Sequence, residues 1–196
     1  AGVDRVITNW EPLILLAATL RERLGLPGMT RDVALGFRDK QVMKERLAAA
    51  GIRVPRSRRV KTSTEAWAAA EEVGYPLVLK PIAGAGSADT FRCDSADELK
   101  AALSASRHVT EASVEEFIDG EEFTYDTVCS GGRIAFDSVA QYFPRPLVFR
   151  TEQWISPAQV VYAAPHAMPK LQEGIQMGVD VLRVLGMDDG FTHMEW

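Results

Sequence analysis

The amino-acid sequence predicts an α+β fold, because helix signals and strand signals are both strong along the chain. A capping box begins two predicted helices, at Thr62 with Glu65 and at Ser95 with Glu98. From residue 113 onwards strand-like segments follow one another, and the glycine pair at 131–132 is typical of a two-residue hairpin turn. With 46% hydrophobic residues among 196, the chain can bury one large core or two small ones.

The composition argues against several classes of protein. A net charge of −5 and a pI near 5.3 give no broad attraction to nucleic acid or anionic membranes. The apolar run Leu13–Ala18 is far shorter than the roughly 20 residues of a membrane-spanning helix, and we expect it to form a buried helix. The only two cysteines, Cys93 and Cys129, are far apart and do not have the spacing of metal ligands. This argues against a disulfide scaffold and a structural zinc site, and it is typical of proteins in a reducing compartment. The sequence therefore predicts a cytoplasmic protein without nucleic-acid or membrane partners.

The N-terminal part of the chain contains two predicted helices. A strand-like run, Val3–Thr8, precedes a helix over about residues 12–24, and together they resemble the tail of a βα unit. The turn chemistry of Leu26–Gly28 indicates a boundary. Asp39 is placed to cap the second helix, which Gly51 ends.

Residues 54–106 are predicted to form a small α+β unit, whose two helices begin at the capping boxes. The expected elements are an extended segment at 54–60, a helix at 62–74, a strand at 77–80, a glycine-bearing loop at 83–87, a strand at 90–93 and a helix at 95–106.

The remaining part of the chain is predicted to consist mostly of strands. We expect strands at 113–118, 122–130 and 133–142, a proline-rich loop at 144–157, a helix at 169–185 and a strand at 190–196. Strand-like segments at both ends of the chain lead us to interpret the sequence as a fragment of a longer protein.

The segment around Lys80 has the composition of a phosphate-binding loop. Lys80 ends an apolar strand, and a loop containing Gly84, Gly86 and Ser87 follows it. The lysine supplies a point charge, and the glycines let backbone N–H groups approach phosphate oxygens. A P-loop is excluded, because the lysine of a P-loop follows the glycines whereas Lys80 precedes them. A dinucleotide-binding fingerprint is excluded, because Asp89 occupies the position at which that motif needs a glycine or alanine that begins a helix. The alternative is an ordinary β-hairpin with a lysine at its rim.

A second candidate site is the acidic segment 114–123. A strand that breaks at Asp119-Gly120 and starts again forms a hinge, which leaves backbone groups of Glu116 and Ile118 free to bind an adenine edge. Glu122 is placed to reach a ribose diol. The alternative is a solvated acidic turn.

Two further positions carry charges that suit a nucleotide. Lys40 follows a capping aspartate at a helix start, and its alternative is an exposed lysine. His193 and Glu195 lie on one face of the last strand, where a carboxylate can hold Mg²⁺ brought in by phosphates. The alternative for Glu195 is a solvent-facing residue. The three histidines are scattered, which disfavours a zinc site.

These motifs, taken in order, resemble the ATP-grasp superfamily over nearly the whole chain. The resemblance implies two α+β subdomains that clasp ATP, preceded by the tail of an α/β domain. The implied boundaries are 1–28 for this tail, 29–112 for the N-terminal subdomain with a lid at about 54–106, and 113–196 for a truncated C-terminal subdomain.

The resemblance also implies roles for individual residues, although it assigns no catalytic residue. Lys40 and Lys80 would contact phosphates, and Glu195 would be a Mg²⁺ ligand. The remaining nucleotide-binding residues would be Gly84, Gly86 and Ser87 over the phosphates, Glu115, Glu116 and Ile118 at adenine, and Glu122 at the ribose.

The implied activity is ATP-dependent ligation of a carboxylate to an amine through an acyl phosphate, with release of ADP and phosphate. The segment G-F-T-H-M-E resembles the amino-acid ligase and carboxylate–amine ligase branch. The alternatives are a biotin carboxylase-type bicarbonate-activating enzyme and a non-catalytic nucleotide-binding module. Assembly into a homo-oligomer is compatible with either activity. The family's second acidic strand, with an E-x-N-x-R type motif, would follow Glu195 and is not in this sequence, so we expect little turnover from these residues alone.

Overall fold

Each half of the chain folds around one antiparallel sheet. The computed structural model describes residues 2–83, 89–152 and 154–196. Sheet A has the strand order β1-β4-β2-β3, and sheet B has the order β7-β6-β5-β8. The strands are β1 (Ser57–Val60), β2 (Leu77–Pro81), β3 (Phe91–Cys93), β4 (Ala112–Glu116), β5 (Thr124–Ser130), β6 (Arg133–Phe143), β7 (Ala158–Val161) and β8 (Gly190–Glu195). The predicted α+β class is confirmed.

Helices cover both sheets and fill the N-terminal part of the chain. They are α1 (Ile14–Leu24), α2 (Arg31–Arg38), α3 (Lys40–Ala49), α4 (Ser63–Val73), α5 (Ala96–Ala105), α6 (Pro146–Thr151) and α7 (Gln172–Leu185). Three-residue 3₁₀ segments lie at Glu11–Leu13, Pro165–Ala167 and Pro169–Leu171. Across the described residues, no helix combines the length and the apolar character that crossing a membrane requires.

Helices α4 and α5 pack on one face of sheet A around a core that includes Leu77, Leu79 and Val114. The Thr62–Glu65 capping box is confirmed, because each side chain accepts a 3.1 Å hydrogen bond from the other residue's backbone N–H. The second predicted box forms only in part. The Ser95 hydroxyl accepts from the Glu98 N–H, but the Glu98 carboxylate accepts from the N–H of Asp94.

Helix α3 lies on the opposite side, next to β1 of sheet A. Asp39 caps it as predicted and accepts 3.0 Å hydrogen bonds from the N–H groups of Gln41 and Val42. The guanidinium of Arg59 on β1 also donates to Asp39, at 2.5 and 2.6 Å. The helix start is therefore fixed to the sheet by a charged pair, and this places the first turn of α3 beside the candidate site.

Helix α7 approaches sheet B unusually closely because two glycines face the strands. A Cβ atom at Gly174 would lie 1.7 Å from the ring of Trp196, and one at Gly178 would lie 2.4 Å from the ring of Tyr125. Trp196 also stacks on Phe123, with ring centroids 5.0 Å apart. These contacts join β8 to the start of β5.

Two predictions for the N-terminal part are wrong. Val3–Thr8 is not a strand, since the described residues provide no strand beside it, and the side chains of Val3 and Ile7 are 61% and 86% exposed. The run Leu13–Ala18 is helical but only partly buried, because Ala17 and Ala18 face the core while Leu16 is 53% exposed. Helix α2, capped by Thr30, was not predicted.

Strand β4 belongs entirely to sheet A, in which it pairs with β1 and β2. It ends at Glu116, two residues earlier than predicted, and crosses the subdomain boundary that the sequence placed between 112 and 113. The proline-rich segment contains helix α6, so the prediction of a loop is wrong there, and strand β7 begins directly after the segment, at Ala158.

Candidate functional site

Three lysines converge on one face of sheet A. Lys80 of β2 is the pairing partner of Ser113 of β4, and alternation along β4 places Glu115 on the same face as Ser113. Helix α3 covers this face, and the four-residue spacing of Lys40 and Lys44 puts both on one side of the helix. The arrangement therefore gathers positive charge around a single strand carboxylate.

The carboxylate of Glu115 is the centre of this group. Glu115 is 4% exposed, and its two oxygens accept from two different ammonium groups, Oε1 from Lys80 and Oε2 from Lys44. The Ser113 hydroxyl donates to Oε2 at 3.3 Å. One carboxylate cannot neutralise three ammonium groups, so the cluster of Glu115 and the three lysines by itself has a net positive charge when all three lysines are protonated.

Burial makes these lysines easier to deprotonate. It lowers the pKa of Lys44 to about 7, and the nearby charges of Lys80 and Lys40 act in the same direction. Burial and then the charge of Lys40 lower the pKa of Lys80 to about 8. Burial, followed by the charge of Arg38, also lowers the pKa of Lys40. An anion bound between the lysines would relieve this repulsion.

Strand β8 supplies the carboxylate that faces the lysines. His193 and Glu195 share a face, as predicted, with the His193 Nε2 3.9 Å from Glu195 and its Nδ1 2.6 Å from Asp126. Glu195 and Asp126 raise the pKa of His193 to about 9. His193, and then Lys80 and Lys40, lower the pKa of Glu195. Glu195 therefore lies in the field of both predicted phosphate lysines.

Glu122 lies near Glu195, because the residues that follow them, Phe123 and Trp196, exchange backbone hydrogen bonds of 2.8 and 3.0 Å. Burial and the charge of Glu195 raise its pKa, while Arg145 and Lys80 act in the opposite direction. The structure therefore brings four of the predicted residues together from both halves of the chain: Lys40, Lys80, Glu122 and Glu195.

The hinge segment differs from the prediction at one backbone group. The Glu116 N–H is not free, because it donates to the Arg56 carbonyl at 2.9 Å, and its carboxylate binds Arg53 and Arg56. The Ile118 N–H has no hydrogen-bond partner within the described ranges, and this residue is 46% exposed. Of the two predicted adenine-binding positions, Ile118 thus offers an open donor.

The predicted glycine loop lies mostly outside the described residues, which include neither Gly84 nor Gly86 nor Ser87. Its first residue, Ala83, accepts a hydrogen bond through its carbonyl from the guanidinium of Arg38. Arg38 also pairs with Glu11 at 2.9 Å. The end of α2 thus holds the beginning of this loop.

Comparison with known proteins identifies the family of the chain. A family model described as the ATP-grasp domain matches residues 37–145, more than half of the chain. The chain belongs to the ATP-grasp family. The match includes Lys40, Lys80 and the hinge.

Curated relatives and solved structures align with most of the chain. An L-arginine-specific L-amino acid ligase of Bacillus subtilis is 28% identical over 98% of the chain, and an alanine–anticapsin ligase of the same species is 31% identical over 78%. The crystal structure of an L-amino acid ligase from Bacillus licheniformis has a TM-score of 0.73 and 25% identity over 98% of the chain. The chain covers 47%, 36% and 44% of these three proteins, respectively.

Lys44 is the residue of this ATP-grasp site that sequence reasoning missed. Its signal was the four-residue spacing from Lys40, which places both lysines on one side of a helix. The sequence did not reveal that this side packs against sheet A.

The carboxylates of the candidate site have the chemistry that suits a magnesium ion. Mg²⁺ prefers oxygen ligands and is usually held by one or two carboxylates together with substrate phosphates. Glu195 and Glu122 are such groups, and burial together with the charge of Glu195 raises the pKa of Glu122. Within the described part of the chain, no group of three or more acidic, histidine or cysteine side chains has the arrangement of a metal site.

Proposed function

We propose that the protein to which this chain belongs is an ATP-dependent ligase that joins a carboxylate to an amine and releases ADP and phosphate. One observation carries the proposal: the charges of Glu122 and Glu195 both act on Lys80, and the charge of Glu195 also acts on Lys40. The similarity to amino acid ligases supports an amino acid as the carboxylate substrate.

In this proposal the nucleotide lies between sheet A and sheet B. The Ile118 N–H and the Glu116 carbonyl bind the adenine edge, and Glu122 accepts from the ribose hydroxyls. Lys40 and Lys80 neutralise the phosphates, which the backbone of Gly84, Gly86 and Ser87 covers. Mg²⁺, held by Glu195, would supply further charge neutralisation at the phosphate oxygens.

The reaction then proceeds in two displacements. A carboxylate oxygen of the first substrate attacks the γ-phosphorus, the bond to the β-phosphate oxygen breaks, and ADP leaves. The amine of the second substrate attacks the acyl carbon, inorganic phosphate leaves, and the amine loses a proton. The chain's part is to orient the γ-phosphoryl group and to stabilise its charge through fixed cations, as phosphoryl transfer requires.

We further propose that the two sheets correspond to the two ATP-grasp subdomains, with the unit around sheet A closing as a lid that excludes water. The free, buried thiols of Cys93 and Cys129 support a cytoplasmic location.

The test is ADP release by the full-length protein across a grid of amino acids offered as acid and as amine. We expect ADP and phosphate to appear only when both a suitable acid and a suitable amine are present. Release that depends on bicarbonate instead of an amine would contradict the proposal, and so would ATP binding without ADP under every pair.

A further inference from the structure

We propose that Lys44 is a positioning residue of the nucleotide site: by holding one oxygen of Glu115, it keeps the Lys80 ammonium available to a nucleotide phosphate. This inference rests on the proposed function, and it concerns a lysine that does not itself contact the nucleotide.

The exposure of the three side chains supports different roles for the two lysines. The side chain of Glu115 is 5% exposed, that of Lys44 is 12% exposed and that of Lys80 is 26% exposed. Lys80 is thus the lysine with the more exposed side chain, and it is also the one on which the charges of Glu122 and Glu195 act. Lys80 contacts Oε1 of Glu115 and Lys44 contacts Oε2. The Ser113 hydroxyl also donates to Oε2.

Lys44 and Lys80 share the single buried negative charge of Glu115. With Lys44 present, the charge of Glu115 is balanced by the Lys44 ammonium at Oε2, and Lys80 can exchange its contact with Oε1 for a contact with a phosphate oxygen. Without Lys44, the buried carboxylate has Lys80 as its nearest remaining cation, and a buried carboxylate without a partner is costly. A phosphate would then have to compete with Glu115 for Lys80.

Other charged groups face the cluster from every element packed around it. Helix α3 contributes Lys40, strand β8 contributes Glu195, and Glu122 precedes β5. Lys40 and Glu195 have opposite charges, and neither lies between Lys44 and Glu115. The contact of Lys44 with Glu115 is therefore the direct route by which Lys44 acts on Lys80.

A double-mutant cycle on the full-length protein tests the inference. ATP affinity is measured by titration calorimetry for the parent, Lys44→Met, Glu115→Gln and the double variant. We expect Lys44→Met alone to weaken ATP binding by about tenfold, because Lys80 is then held by Glu115. In the presence of Glu115→Gln, Lys44→Met should change the affinity by less than about twofold, because no carboxylate remains to hold Lys80.

Two further variants complete the design. Lys100→Met, on the exposed side of α5, removes a lysine outside the site and should leave the affinity unchanged. Lys44→Arg keeps the charge and should retain most of the affinity. Thermal unfolding identifies variants that do not fold, and Lys44→Gln replaces Lys44→Met in the cycle where the methionine variant fails.

The outcomes separate this inference from the proposed function. A parent protein that does not bind ATP contradicts the proposed function. If the parent binds ATP but Lys44→Met binds equally well, Lys44 has no positioning role. An equal loss with and without Glu115→Gln would show that Lys44 acts on the nucleotide directly, which overturns the inference.

Discussion

Lys80 is the residue at which the predicted phosphate-binding segment meets the rest of the candidate site. It ends a strand whose backbone is fixed by β3 and β4, and its ammonium reaches Glu115 and the fields of Glu122 and Glu195. The backbone position is therefore rigid, while the long side chain can change partner. This combination suits a cation that must release one carboxylate before it binds a phosphate.

Replacing Lys80 by methionine should weaken ATP binding. The substitution removes a charged hydrogen bond to phosphate, which is worth roughly 1.5–3 kcal/mol, or about ten- to a hundredfold in affinity. Titration calorimetry on the full-length protein measures the effect, with Lys100→Met as the control. An unchanged affinity would remove Lys80 from the nucleotide site.

The lowered pKa values of the lysines predict how ATP affinity depends on pH. The protonated lysines attract phosphate, and their pKa values are about 7 for Lys44 and about 8 for Lys80. Raising the pH through this range removes positive charge from the free protein, so the dissociation constant for ATP should rise severalfold between about pH 7 and pH 9. In Lys80→Arg, which stays charged, the rise should be smaller. Affinity that increases over this interval would contradict the assignment of these lysines to the site.

At the residue scale, the sequence predicts the site residues that belong to motifs occurring in a fixed order along the chain. Lys40, Lys80, Glu122 and Glu195 were predicted from their succession, and the structure brings them together. Lys44 could not be predicted, because its role depends on which side of α3 packs against sheet A. The partners of Glu115 and Glu116 were missed for the same reason.

At the scale of elements, close packing of helix α7 on sheet B joins the last strand to the site. Gly174 and Gly178 are one helical turn apart and face Trp196 and Tyr125. The contact sets the position of β8 through the Trp196 ring, which follows directly after Glu195 and stacks on Phe123. The glycines of α7 thus influence where the carboxylate of Glu195 lies.

Replacing Gly174 by alanine should destabilise the protein. The added Cβ would lie 1.7 Å from the Trp196 ring, so the ring or the helix has to move, and overpacking of this kind typically costs about 1–3 kcal/mol. Urea unfolding measures the change. Gly120→Ala is the matched control, because a Cβ there meets no atom within 4 Å. Equal stability of both variants would show that Trp196 does not pack over Gly174.

The elements that the sequence predicted correctly have local signals strong enough to fix them. Capping residues begin α3, α4 and α5, and the glycine pair at 131–132 adopts the positive φ values of 56° and 70° that its hairpin needs. Val3–Thr8 has a strand-like composition, but a strand also needs a neighbour. The short helix α6 lies in the proline-rich segment, and β7, which follows that segment, forms by pairing with β6. Such pairing is not visible in local composition.

At the scale of the whole molecule, the site draws on both sheets. Sheet A supplies Lys80 and Glu115, sheet B supplies Glu195, and the connection between β4 and β5 carries Ile118 and Glu122. A movement of one sheet relative to the other would change the distance between the lysines and Glu195. If a phosphate and a metal ion bind between them as proposed, they would favour the arrangement that brings the lysines and Glu195 closest together.

The same arrangement predicts which bond of ATP is broken. Adenylation would place the attacking carboxylate at the α-phosphate beside the ribose, whereas phosphorylation places it at the γ-phosphate, at the far end of the nucleotide. Adenine and ribose would be held at 115–122, and the charges of Lys40 and Lys80 meet Glu195 beyond them. Charge stabilisation is thus concentrated where a transferring γ-phosphoryl group needs it. We expect ³¹P NMR of a turnover mixture of the full-length protein to show ADP and phosphate. Accumulation of AMP and pyrophosphate would rule out the acyl phosphate, because that product pair requires attack at the α-phosphorus.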